Sequence, residues 1–204
     1  MRDLFYAAFG ITYVASAVLG LRYFTHMLQL SSYQFQGYFR FLRSHRQYTG
    51  LHTGEFAMLG MAGVFGYYLT PSFHWMLTLA MVFQIFLILQ YLPKPAKKKF
   101  VVTKRVERLF VTYGIITAIL AVISAVVYEL LMKGLMITAL IWATYMLLLP
   151  YLTALANLIN KPVEEKINEY YINDAKRILA EHKDLRVIGI TGSFGKTSVK
   201  YYLT

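Results

Sequence analysis

The chain has 204 residues, 57% of them hydrophobic and 16% aromatic, with a formal net charge of +11 from 21 Lys+Arg against 10 Asp+Glu. The apolar excess lies in long runs, which excludes an ordinary soluble domain, and the absence of cysteine excludes a disulfide framework and thiolate metal sites. The positive charge gathers between the apolar runs, where membrane topology and anionic lipid use it, so nucleic acid is not the expected partner.

The first spanning candidate covers about 4–21, carries no charge and is closed by Arg22. Met1-Arg2-Asp3 is a poor basic leader and no small-residue cleavage site follows, so no cleavable signal peptide is expected. Residues 28–47 form an amphipathic stretch. Phe35, Tyr38, Phe39 and Leu42 share one helical face, while Gln36, Arg40, Arg43 and Gln47 share the opposite one. Such a helix lies among lipid headgroups or packs on the bundle as a connector.

The second span, 51–69, holds Gly54, Gly60, Gly63, Gly66, Ala57 and Ala62, small residues that permit close helix approach. Glu55 lies near its start and is expected to snorkel or cap. Thr70-Pro71-Ser72 is a short turn into the third span, 73–92, with Trp75 and Tyr91 as interface anchors. Pro93 to Lys99 then breaks the helix with dense positive charge. The fourth span is 109–128, and Glu129 and Lys133 mark a turn into the fifth, 135–155, where Pro150 is tolerable as a kink.

Charge asymmetry orients this arrangement. Arg22, Arg40, Arg43 and Arg46 lie between spans one and two, and Lys94, Lys97, Lys98, Lys99, Lys104, Arg105 and Arg108 between three and four. The other two connections share only Lys133. The positive-inside rule gives a multi-pass protein of the cell membrane, its N-terminus outside and its C-terminus cytoplasmic, with membrane lipid as a partner. The spans hold no clear midplane ionisable cluster of transporter type. His26, His45, His52, His74 and His182 form no i, i+4 pair with a carboxylate, so no metal is expected there.

Composition changes after Asn160-Lys161-Pro162, dividing 1–160, the membrane part, from 161–204. Residues 163–182 read as an amphipathic helix with an apolar stripe at Val163, Ile167, Tyr171, Ile178 and Leu179. Arg186 to Thr191 reads as a short buried strand. It enters the glycine turn Thr191-Gly192-Ser193-Phe194-Gly195-Lys196-Thr197-Ser198, the grammar of a phosphate-binding loop. Backbone N–H groups would cradle phosphate, Lys196 would reach the β/γ-phosphates of ATP, and Thr197 would ligate Mg²⁺. The expected fold class is therefore membrane α-helical, with about five transmembrane helices, followed by the start of a cytoplasmic α/β P-loop domain.

The loop is not the common G-x-x-x-x-G-K-[ST] form, because Ile190 stands where the first glycine would be. The shorter T-G-x-x-G-K-[TS] form after a strand resembles the Mur ligase superfamily of ATP-dependent amide-forming ligases. The Ser193-Phe194 filling, with Tyr170-Tyr171-Ile172-Asn173-Asp174-Ala175-Lys176 upstream, looks most like its MurF group. The resemblance covers roughly forty residues. It implies an ATP and Mg²⁺ site at Thr191 to Ser198, a muramyl-peptide substrate, D-alanyl-D-alanine as incoming amine, and a role in peptidoglycan synthesis. In that family ATP phosphorylates a carboxylate and an amine displaces phosphate. The family's metal-binding glutamate, carbamylated lysine and amine-binding domain are expected beyond Thr204, so residues 1–204 alone are expected to hold no catalytic residue and to be inactive. The spans stand where typical muramyl ligases carry a UDP-sugar-binding domain. Two alternatives stay open: a poly-γ-glutamate synthase-like ligase, and a non-enzymatic membrane protein with a nucleotide-loop-like tail.

Overall fold

The computed structural model describes residues 2–68, 73–92, 98–130, 135–181 and 191. Its six helices are α1 (Arg2–Leu30), α2 (Phe35–Ser44), α3 (Arg46–Tyr68), α4 (Phe73–Tyr91), α5 (Lys104–Leu130) and α6 (Leu135–Glu181). The chain divides into two compact units, Met1–Lys161 and Pro162–Thr204.

Within the first unit α1 is the helix around which the others gather. Ala17, Leu21, Phe24 and Leu28 recur at helical spacing and are all buried. This stripe packs against α4, and α4 packs in turn against α3. Polar ties join α1 to the remaining helices. Thr25 Oγ1 and the Tyr113 hydroxyl of α5 lie 2.9 Å apart, and the Tyr13 hydroxyl donates to the Trp142 carbonyl of α6 at 2.9 Å. Gly20 allows the closest approach: a Cβ there would meet Leu149 Cδ2 of α6 at 2.5 Å. Helices α5 and α6 are tied by Thr117 with Tyr145 at 2.9 Å and by Asn160 Nδ2 donating to Thr112 Oγ1 at 2.7 Å.

The turn from α1 to α2 stores strain. Ser32 and Tyr33 have φ of 53° and 59°, a left-handed conformation that costs about 1 kcal/mol or more per non-glycine residue. Long-range contacts hold it. Asn157 Nδ2 donates to the Tyr33 carbonyl at 3.1 Å, and the Arg105 guanidinium sits 3.8 Å from the Tyr33 ring centroid while donating to Asn157 Oδ1 at 3.1 Å. Beyond the turn, α2 buries Tyr38 and Leu42 and leaves Arg40 and Arg43 exposed, so it packs on the bundle with its basic face outward. The buried Tyr38 hydroxyl donates to the Pro150 carbonyl at 2.7 Å. Burial pushes this phenol well above its ordinary range and keeps it a neutral donor.

Two expectations from the sequence are corrected. Among the described residues, two helical segments rather than about five are long and apolar enough to cross a membrane: Lys104–Leu130 and Ile137–Glu181. The apolar runs do lie within helices, but in α3 they are diluted by Gly, Tyr and Thr and interrupted by Arg46, His52 and Glu55. The second correction concerns the α/β domain: the described residues contain no strand and no sheet, and those of the second unit up to Glu181 are helical. The strand expected at 186–191 lies outside the described residues, except for Thr191. Helix α6 runs unbroken through Pro150 and Pro162, positions that each remove one backbone donor without ending it.

Candidate functional site

Of the residues expected to bind ATP, Thr191 is exposed and in no regular element. Gly192, Ser193, Phe194, Gly195, Lys196, Thr197 (also the expected Mg²⁺ ligand) and Ser198 lie outside the described residues. The expected phosphate-binding loop therefore rests on the sequence pattern.

The structure assembles a different polar site, inside the first unit. His52 and Glu55 are three residues apart on α3, which puts both side chains on one helix face. That face turns toward α1 and α4, and both residues are 1% exposed. Helix α4 lies alongside α3 and brings its last residue, Tyr91, against the histidine. The Tyr91 hydroxyl and His52 Nε2 are 2.7 Å apart, with the rings nearly parallel. On the other side of the imidazole, Nδ1 lies 3.6 Å from Glu55 Oε2. That separation is too long for a hydrogen bond. Phe24 of α1 covers the imidazole at 5.6 Å between centroids.

Several groups in this core lack partners. Neither carboxylate oxygen of Glu55 has a hydrogen bond, nor has His52 Nδ1. Gln84, wholly buried on α4, accepts from Thr12 Oγ1 of α1 at 2.7 Å, and its Nε2 has no partner. An ionised carboxylate so placed lacks every donor that would offset its desolvation. Toward the ends of α3 and α4 nearer Arg46 and Tyr91, phenols continue the polar track. Tyr23 and Tyr48 lie 5.1 Å apart between ring centroids, and Tyr23 lies 5.1 Å from Tyr91.

Sequence reasoning missed this site for identifiable reasons. Glu55 was expected to reach headgroups from a helix start near Leu51. Helix α3 instead begins at Arg46, so Glu55 lies nine residues in, about 13.5 Å along the axis. Tyr91, expected as an interface anchor, is 1% exposed and bound to His52. The i, i+3 spacing of His52 and Glu55 was the one available signal. No group of three His, Asp or Glu side chains converges among the described residues, so the cluster is not a conventional metal site.

A second feature is the basic end of the unit. Exposed Arg40, Arg43, Arg46, Lys98, Lys99 and Lys104 belong to α2 and to the helix ends and connection near it. The connection before α5 docks on α1: Gln29 Nε2 donates to the Val101 carbonyl at 3.0 Å, and the Arg22 guanidinium lies 5.1 Å from the Phe100 ring centroid. Such an end offers several cations to phosphate groups. No protein-family model, curated protein or solved structure matches the chain.

Proposed function

We propose that this chain is the membrane-embedded N-terminal part of a Mur-type, ATP-dependent amide-forming ligase of peptidoglycan precursor synthesis, adding D-alanyl-D-alanine to a muramyl tripeptide. The observation that carries this reading is Thr191-Gly192-Ser193-Phe194-Gly195-Lys196-Thr197 following an apolar run. In that reading Gly192 and Gly195 would leave backbone N–H groups open to phosphate oxygens, Lys196 would offset phosphoryl charge, and Thr197 would hold Mg²⁺.

Placement in the membrane supports the same reading. The outward face of α5, at Val111, Ile115, Ile119, Val122 and Val126, is aliphatic and half or more exposed, a surface suited to hydrocarbon. Lys104, Arg105 and Arg108 flank the start of α5, and Lys161 follows the apolar part of α6. The positive-inside rule puts those ends, and the loop after α6, in the cytoplasm where ATP is. Arg22, Arg40, Arg43 and Arg46 favour the same side.

The test is ligation by the intact gene product in its own membrane, supplied with muramyl tripeptide, D-alanyl-D-alanine, ATP and Mg²⁺. The proposal expects one phosphate released per amide bond, and loss of both in Lys196→Ala. Ligation of glutamate in place of the dipeptide would favour the poly-γ-glutamate reading. ATP-independent behaviour identical in both proteins would leave a membrane protein without ligase chemistry.

A further inference from the structure

We propose that His52 and Glu55 form a buried proton-binding site, holding one proton between the carboxyl and Nδ1 and exchanging it through Tyr91. The inference is independent of the ligase reading and gives the helical unit a role beyond anchoring. It rests on the two unpartnered carboxylate oxygens, the unpartnered Nδ1 3.6 Å away, and the Tyr91 hydroxyl 2.7 Å from Nε2.

A single proton on Glu55 removes its charge and pairs Oε2 with Nδ1, leaving only the Oε1 carbonyl without a donor. The neutral acid donates from Oε2 to Nδ1 after a contraction of under about 1 Å to reach hydrogen-bond length. The imidazole Nε2–H then donates to the Tyr91 oxygen, leaving Tyr91 its own hydroxyl proton to donate onward. Without the added proton, the buried carboxylate has the Nδ1–H of His52 as its one nearby donor and keeps its charge and its other oxygen unpaired.

The same geometry supplies the exchange route. The Glu55 O–H bond breaks as Nδ1–H forms. The imidazolium then releases its Nε2 proton to the Tyr91 oxygen, while Tyr91 releases its own proton outward. One proton leaves, and Glu55 remains as the carboxylate. Among the described residues, the titratable groups around this pair are phenols: Tyr13 and Tyr23 from α1, Tyr48 from α3 and Tyr91 from α4. Tyr23 and Tyr48, half-buried, connect Tyr91 to the end of α3 that starts at Arg46.

The experiment is infrared difference spectroscopy of the intact protein in phosphatidylcholine vesicles, with pH steps in H₂O and in D₂O. The expected result is a carboxylic C=O band that moves down in D₂O and is lost in Glu55→Gln. His52→Asn replaces the acceptor and should shift the band. Tyr91→Phe should keep it and slow its appearance after a pH step. Absence of the band in the wild type, its persistence in Glu55→Gln, or an unshifted band in His52→Asn would each overturn the proposal. A carboxylate and imidazolium signal at all pH values, the mark of a purely structural ion pair, would overturn it as well.

Discussion

The contact between Gly20 and Leu149 makes a quantitative test of how α1 and α6 pack. A Cβ at position 20 would lie 2.5 Å from Leu149 Cδ2, against 3.4–4 Å for ordinary contact, so about 1 Å must be recovered. Leu149 is wholly buried, and Tyr91 stands 3.8 Å from the same point. Overpacking of this kind costs about 1–3 kcal/mol. Replacing glycine by alanine inside a helix returns about 1 kcal/mol. Gly20→Ala should therefore destabilise by about 0–2 kcal/mol, and Leu149→Ala, which opens a cavity, by about 2–5 kcal/mol. In the double variant the vacated Leu149 volume admits the new methyl group. The pair should then be less damaging than the sum by about 1–3 kcal/mol. Unfolding in mixed micelles of mild detergent and sodium dodecyl sulfate measures all four corners of the cycle. Additivity within about 0.5 kcal/mol would refute the close approach.

Two further outcomes follow from α2. Tyr38→Phe removes the hydroxyl that donates to Pro150 and should cost about 0.5–1.5 kcal/mol in the same unfolding assay. Because burial raises the Tyr38 phenol, the unfolded chain ionises first; the Tyr38 share of stability is full below about pH 10 and falls above it, and the phenylalanine variant should lose that share of the alkaline dependence. Arg40→Gln with Arg43→Gln should reduce the preference for phosphatidylglycerol over phosphatidylcholine by about 2 kcal/mol at low salt, read with spin-labelled lipids. A salt-insensitive or unchanged preference would place the basic face away from headgroups.

The helices were legible in the sequence because apolar runs and charge breaks are local. The run from Leu51, for example, lies inside α3, and the 3.6-residue spacing of Tyr38 and Leu42 marks the buried face of α2. Helix ends were less legible. Arg22 reads as a stop, yet α1 continues to Leu30 because Phe24 and Leu28 extend the buried stripe past it. The run from Leu51 was overread as a span because its length was counted without weighing how far Gly, Tyr, Thr, His52 and Glu55 dilute its hydropathy. The buried dyad was illegible for another reason: it depends on which face of α3 meets α4, and on Tyr91 arriving beside His52 from 39 positions away. Conversely, the proposed nucleotide loop is read from the spacing of Gly192, Gly195, Lys196 and Thr197, which lie outside the described residues.

The most direct test of the central claim is photolabelling with a reactive ATP analogue in sealed membrane vesicles of known orientation. The account predicts Mg²⁺-dependent labelling of the peptide containing residues 191–198 when the cytoplasmic face is exposed, none when it is enclosed, and loss of labelling in Lys196→Ala. Equal labelling from both faces, no labelling from either, or undiminished labelling in Lys196→Ala would contradict it.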